Sequence, residues 1–136
     1  MTKEELIQGL NSNPNLRQHL FIRGFLITTQ KNINTEAFPF YGLWRKEQYG
    51  QFDFLLHPLT KLFCLHKGND VFFLIGHAFN PFSMDISEEV VLERIADRYG
   101  TKAYQEYIDQ LTGIFIFGII RNNAIEFQCD ASGMQY

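Results

Sequence analysis

The chain has 136 residues, a length that fits one domain over 1–136. Its apolar content of 46%, charged content of 20% and net charge of −3 are ordinary for a globular protein. The sequence has no cluster of Lys and Arg, so nucleic acid is not an expected partner. No apolar stretch is long enough for a membrane span, and the acidic N-terminal sequence is unlike a signal peptide. We therefore expect a cytoplasmic protein.

The first segment has helix-start signals. Thr2 and Glu5 have the spacing of a capping box and predict a short helix to about Leu10. Asn13 followed by Pro14 predicts a second helical start, because Asn caps a helix and Pro fits its first position.

The middle of the chain is rich in β-branched and aromatic residues. These segments predict strands over 21–29, 51–56, 61–66 and 71–76. Gly68 and Asn69 can both adopt positive φ, so they predict a hairpin between the last two strands. Residues 38–44 are aromatic but contain Pro39 and Gly42, which favours an irregular segment or an edge strand.

Two helices are expected next. Asp85 and Glu88 form a second capping box, followed by an apolar stripe at helical spacing. Gly100 would end this helix in a left-handed conformation, and Thr101 would cap the helix after it.

A final hairpin completes the pattern. The continuous apolar run over 113–120 predicts a strand buried on both faces. Residues 121–123 should form the turn, and 124–129 the returning strand. Grouped strands with grouped helices favour an α+β fold.

Three short motifs follow one another in the second half of the chain. They are Tyr99-Gly100, then Leu-Thr-Gly-Ile-Phe-Ile-Phe at 111–117, then Asp-Ala-Ser-Gly-Met-Gln-Tyr at 130–136. Residues 71–136 thereby resemble the N-terminal glutaminase domain of the asparagine synthetase family, a class II amidotransferase of N-terminal-nucleophile fold. The resemblance implies a two-layer antiparallel β-sandwich flanked by helices (αββα), incomplete at the C-terminus.

The family's chemistry is altered at its nucleophile. That nucleophile is an N-terminal cysteine at the start of the first strand. When Gly24 is matched to the glycine that follows the cysteine, Arg23 takes its place, and an arginine cannot attack an amide.

The glutamine pocket of the family is altered too. The family's oxyanion-stabilising Asn corresponds to Ile75, whose side chain has no hydrogen-bond donor. The backbone N–H of Gly76 would be the one donor left of the oxyanion hole. The acid that holds the glutamine α-amine falls on Ser87, with Glu89 nearby. The resemblance therefore implies no catalytic residue and a vestigial pocket of Arg23, Ile75, Gly76, Ser87 and Glu89.

The resemblance also implies a role. The chain would be a non-catalytic amidotransferase-like domain, a scaffold and interface for an asparagine-synthetase-like, ATP-dependent amide-forming enzyme. ATP and Mg²⁺ would belong to a synthetase-like partner chain or downstream domain, with no cofactor in this chain and with oligomers left open. The alternative is a stand-alone ligand- or protein-binding module. A third, least favoured hypothesis is an enzyme that uses Thr2 as its nucleophile after loss of Met1.

Two cysteines and two histidines are further candidates for a site. Cys64 lies in an apolar strand, which favours a buried, inert thiol over a nucleophile. Cys129 is likewise expected to be structural. His66 and His77 lack carboxylates at ligand spacing, so surface or satisfied side chains are favoured over a metal site. An aromatic cluster could stack on a ring or form an edge of the core, the latter being favoured; it comprises Tyr41, Trp44, Tyr49 and Phe52 with Arg45 and Lys46.

Overall fold

A computed structural model describes residues 2–13, 15, 19, 22–31 and 44–130. The chain divides into two compact units, Met1–Thr60 and Lys61–Tyr136. The helices are α1 (Lys3–Ser12), α2 (Glu88–Arg98) and α3 (Ala103–Asp109). The strands are β1 (Phe25–Thr28), β2 (Arg45–Tyr49), β3 (Phe52–Leu56), β4 (Leu62–Lys67), β5 (Asp70–Phe79), β6 (Thr112–Arg121) and β7 (Ala124–Cys129).

Each unit contains one antiparallel sheet. The strand order is β1-β3-β2 in the first unit and β4-β5-β6-β7 in the second. The α+β class and the antiparallel pairing are therefore confirmed. The single domain over 1–136 and the N-terminal-nucleophile sandwich remain predictions.

Helix α1 begins as predicted. The Thr2 hydroxyl accepts from the Glu5 N–H at 3.1 Å, and the Thr2 N–H donates to the Glu5 carboxylate at 2.9 Å. The helix runs beyond Leu10 to Ser12. The second helical start at Asn13-Pro14 lies outside the described residues.

The sheet of the first unit differs from the prediction at its two outer strands. Strand β1 begins only at Phe25, because Arg23 has φ of 62° and lies in a turn rather than in the predicted strand. Strand β2 was not predicted, since its Arg-Lys-Glu-Gln-Tyr sequence has no apolar alternation. Strand β3 lies between them and is buried along its whole length, which positions both neighbours. Residues 38–43, within the predicted irregular segment, lie outside the described residues.

In the second unit the helices cover one face of the sheet. Helix α2 and helix α3 supply Leu92, Ile95 and Tyr107 to a core that includes Phe72 and Phe117 of the sheet. Tight hairpins join β4 to β5 and β6 to β7, and both lie at the same end of the central pair, where Val71 of β5 pairs with Ile120 of β6. Burial of these large side chains is the main stabilising contribution to the unit.

Both hairpins form where predicted. Gly68 has φ of 62° in the turn that joins β4 to β5. Asn122 and Asn123 have φ of 48° and 65°, and a two-residue β-hairpin turn of type I′ requires such left-handed conformations at both positions. The prediction that the apolar run of β6 is buried on both faces is wrong at its start, where Ile114 is 54% exposed.

Two glycines let β5 and β6 approach closely. Gly76 has φ of 105°, and a Cβ placed on it would lie 2.3 Å from the carbonyl oxygen of Ile114. Gly113 has φ of 136°, and a Cβ there would lie 2.1 Å from the carbonyl oxygen of His77. Both positions therefore exclude side chains on steric and on backbone grounds.

The helix caps correct two predictions. Ser87, not Asp85, caps α2, and its hydroxyl accepts from the Val90 N–H at 3.2 Å. Thr101 does not cap α3, because its hydroxyl donates to the Arg98 carbonyl. The left-handed Gly100 is confirmed, with φ of 81°.

Candidate functional site

The end of β5 meets the start of α2 within the second unit. The Nδ1 atom of His77 lies 3.1 Å from a carboxylate oxygen of Glu88, with side chains 60% and 21% exposed. His77 directly follows Gly76, and Glu88 lies between Ser87 and Glu89. The contact thus brings together the two segments that contain Ile75, Gly76, Ser87 and Glu89.

The backbone at the predicted oxyanion position is already engaged. The Gly76 N–H donates to the Lys61 carbonyl at 3.0 Å, just before β4 begins. Ile75 is wholly buried and pairs with Leu62 and Ile116 on the neighbouring strands. An oxyanion at Gly76 would have to displace the Lys61 carbonyl, and Ile75 could offer it no side-chain donor.

The start of α2 has an acidic character. The Ser87 hydroxyl caps the helix and also lies 3.2 Å from a carboxylate oxygen of Glu89. Glu88 and Glu89 occupy the first turn, where they interact favourably with the helix dipole. Because both carboxylates repel anions, this helix end suits a cationic group better than a carboxylate such as that of glutamine.

An open cleft of about 370 Å³ lies between β4 and α2. Its floor is formed by residues 62–65 and by Leu92, and its rim contains Glu89 and Glu93. The volume is within the range of small-ligand sites. Sequence reasoning placed Glu89 in a pocket but missed Glu93, although the i, i+4 spacing puts both on one helix face.

A polar network fixes the loop between β5 and α2. The buried Asn80 side chain accepts from the backbone N–H groups of Phe82 and Ser83, at 2.9 and 3.2 Å. It donates to Gln110 at 3.1 Å, and its backbone forms a bridge with Asp85. The loop is therefore held from within and from the end of α3.

Asp85 is the centre of this network. It accepts from the Ser83 hydroxyl at 2.7 Å and from the Tyr107 hydroxyl at 2.9 Å, with Arg94 3.8 Å away. The Ser83 hydrogen bond, the Tyr107 hydrogen bond and the positive charges of Arg94 and Arg98 outweigh burial and hold the pKa of the Asp85 carboxyl below its usual range. Burial, followed by the bond to Asp85, raises the pKa of Tyr107. The network therefore stabilises the loop between β5 and α2.

Arg23 belongs to the first unit. It is exposed in the turn before β1, and the adjacent Gly24 carbonyl accepts from the His57 N–H at 3.1 Å and the Thr60 hydroxyl at 2.7 Å. The guanidinium of Arg45 donates to the carbonyls of His57 and Thr60. These bonds hold the segment after β3 in place.

The two candidate cysteines and the two candidate histidines lie on strands of the second unit. Cys64 is half-buried rather than buried, and Cys129 is exposed on β7; that both thiols are unreactive remains a prediction. His66 is exposed, and His77, expected to lack a carboxylate, has Glu88 as a partner. Within the described ranges no group of three or more His, Cys, Asp or Glu side chains is arranged to hold a metal ion.

Comparison of the chain with family models, with curated proteins and with solved structures finds no match. Among the described residues, no helix combines the length and apolar character required to cross a bilayer.

Proposed function

We propose that this chain is a non-catalytic, amidotransferase-like domain that acts as scaffold and interface for an ATP-dependent amide-forming enzyme. The proposal rests on the sequence resemblance over residues 71–136 together with one structural observation. The Gly76 N–H donates to the Lys61 carbonyl at 3.0 Å, where an active glutaminase would need a donor for the tetrahedral oxyanion.

The other altered positions support the same interpretation. The buried Ile75 has no polar atom in its side chain, and Ser87 is used as a helix cap. Arg23 is internal and lies in a turn. Thr2 is bonded to Glu5 through both its amide and its hydroxyl, an arrangement that stabilises a helix start.

Such a domain would act by contact. A synthetase-like chain or domain would bind ATP and Mg²⁺ and activate a carboxylate, and this chain would release no ammonia from glutamine. The nitrogen source of that enzyme would be a free amine or ammonium.

Glutamate release from L-glutamine is the direct test. The full chain is expected to show none above buffer, because the Gly76 N–H is bonded to the Lys61 carbonyl and Ile75 has no side-chain donor for an oxyanion. Thr2→Ala tests the N-terminal nucleophile. Any release that disappears in Thr2→Ala would establish an enzyme and refute the proposal.

The scaffold role is tested by reconstitution with an asparagine-synthetase-like chain that lacks its own glutaminase domain. We expect amide formation with ammonium and none with glutamine, and a higher yield of soluble synthetase when this chain is co-expressed. Amide formation supported by glutamine would contradict the role. An unchanged yield of soluble synthetase on co-expression with this chain would also contradict it.

The cleft between β4 and α2 favours one alternative, a stand-alone binding module. Its apolar floor and its rim carboxylates, Glu89 and Glu93, suit an amine with an apolar body. Titration with phenethylamine, monitored by amide shifts of 62–65 and α2, would detect such binding. Glu89→Gln/Glu93→Gln should abolish the shifts, whereas Glu106→Gln on α3 should leave them unchanged.

A further inference from the structure

Large apolar side chains are exposed around the loop between β5 and α2. We define the apolar patch as Phe79, Phe82, Met84, Ile86 and Ile114, which are 40%, 77%, 74%, 78% and 54% exposed. Scattered exposed apolar residues are normal in globular proteins, whereas a contiguous set marks an interaction surface.

Strand register makes Phe79, Ile86 and Ile114 neighbours on one face. The bridge between Asn80 and Asp85 places Phe79 and Ile86 opposite each other. Phe79 pairs with Thr112 on β6, so Ile114, two residues further, is its diagonal neighbour on the same sheet face. Phe82 and Met84 lie in the short loop that the bridge closes.

The patch is held rigid by groups beneath it. Asn80 is wholly buried and bonds the N–H of Phe82, and the Ser83 hydroxyl bonds Asp85. Met84 has φ of 60°, a conformation that a residue other than glycine adopts only where its surroundings impose it. A preformed loop loses little conformational entropy when its exposed side chains are buried against another molecule.

The area of the patch matches the requirement of a dimer. With roughly 200 Å² for a fully exposed Phe, Met or Ile side chain, the exposed fractions amount to roughly 600 Å². Contact of the patch with its own copy would bury roughly 1,200 Å², the lower bound for a specific, stable interface. Two-fold dimers are the commonest oligomers because one self-complementary surface is sufficient to form them.

The charges around the patch favour a second copy over a lipid surface. Residues 77–93 contain acids and no Lys or Arg, so anionic headgroups would be repelled. Within the chain, Asp85 lies 3.8 Å from Arg94 and Glu88 lies 3.1 Å from His77. The five side chains of the patch are uncharged, and Asp85, the acid within its loop, has Arg94 as a cationic partner, so contact between two patches brings no like charges together at its centre.

We propose that the apolar patch is the self-complementary interface of a two-fold symmetric dimer of this chain. This interface is independent of the amidotransferase-like role, because it requires neither a synthetase partner nor a glutamine pocket.

Sedimentation equilibrium of the full chain over a range of concentrations tests the dimer. The wild-type chain is expected to follow a monomer–dimer equilibrium. Phe82→Ser/Ile86→Ser should raise the dissociation constant at least roughly tenfold, since each side chain is lost twice from a two-fold interface. Both side chains are strongly exposed, so the circular dichroism of the variant should match the wild type.

Two exposed apolar residues outside the patch provide matched controls. Leu59 is 56% exposed and Phe127 is 54% exposed, and Leu59→Ser and Phe127→Ser should leave the dissociation constant unchanged. A wild-type chain that remains monomeric would overturn the proposal, as would dissociation by Phe127→Ser, which would assign the interface to β7. A monomer that floats with neutral phosphatidylcholine vesicles through Phe82 would also overturn it, in favour of a lipid surface.

Discussion

The hydroxyl of Tyr107 on α3 donates a 2.9 Å hydrogen bond to Asp85, in the loop before α2. This bond joins the second of two consecutive helices to the segment that precedes the first. It closes a connection across 22 residues of sequence, and so couples the packing of α3 to the loop conformation.

Tyr107→Phe should lower the free energy of unfolding by about 1–2 kcal/mol, because a buried charged acceptor loses one of its donors. Urea denaturation measures the change. Tyr104→Phe is the matched control: burial raises the pKa of Tyr104 to about 12, yet its hydroxyl has no hydrogen bond among the described residues. Its effect should stay within about 0.5 kcal/mol. Equal losses in the two variants would show that the Asp85 bond contributes nothing.

The lowered pKa of Asp85 predicts a specific acid sensitivity. Its pKa in the folded state lies below the ordinary value of 3.8, chiefly through the Ser83 hydroxyl. The stability it contributes is therefore present above about pH 4 and is lost as the pH falls through the folded-state pKa. Unfolding free energies measured from neutral pH downwards should decline less steeply in Asp85→Asn. The same slope in both proteins would refute the assignment.

Gly76→Ala should destabilise the chain by more than about 2 kcal/mol, because the new methyl group would meet the Ile114 carbonyl at a positive φ. Gly68→Ala separates the two causes, since Gly68 has a positive φ but nothing within 4 Å of an added Cβ. It should cost only about 1 kcal/mol. Comparable denaturation midpoints for the two variants would mean that the close approach of β5 to β6 relaxes easily.

Arg45→Lys should loosen the segment after β3, because one ammonium cannot span the carbonyls of His57 and Thr60 as the guanidinium does. The Thr60 amide donates to the His57 carbonyl at 2.8 Å and reports on this segment. Its hydrogen exchange should accelerate about tenfold, which corresponds to about 1.4 kcal/mol of local stability. Lys46→Arg, on the same strand, should leave the exchange unchanged.

Local rules account for the hairpins and helix starts that the sequence predicted. Gly68 and the Asn122-Asn123 pair were identified because few residues tolerate positive φ, and Thr2 because a capping box involves only neighbouring residues. Strand β2 was missed because its polar sequence becomes a strand only by pairing with the buried β3. Such pairing is a tertiary effect that no local pattern encodes.

The candidate site was harder to predict for the same reason. Ser87 and Asp85 are both good caps, and Asp85 was assigned wrongly because its partner Tyr107 is distant in sequence. The bond from Gly76 to Lys61 depends on where β4 begins relative to β5. The patch was missed because apolar residues in a loop have no periodicity, although Asn80-Pro81 marks a turn there.

Met84 is 74% exposed and is the methionine within the described part of the chain. Exposed thioethers are oxidised by peroxide to sulfoxides, and reductase enzymes reverse the reaction. The extent of Met84 oxidation after a brief peroxide pulse would therefore measure how much of the protein had this loop exposed to solvent. Oxidation converts this side chain from apolar to polar, so the same chemistry would make association of the chain sensitive to the redox state of its surroundings.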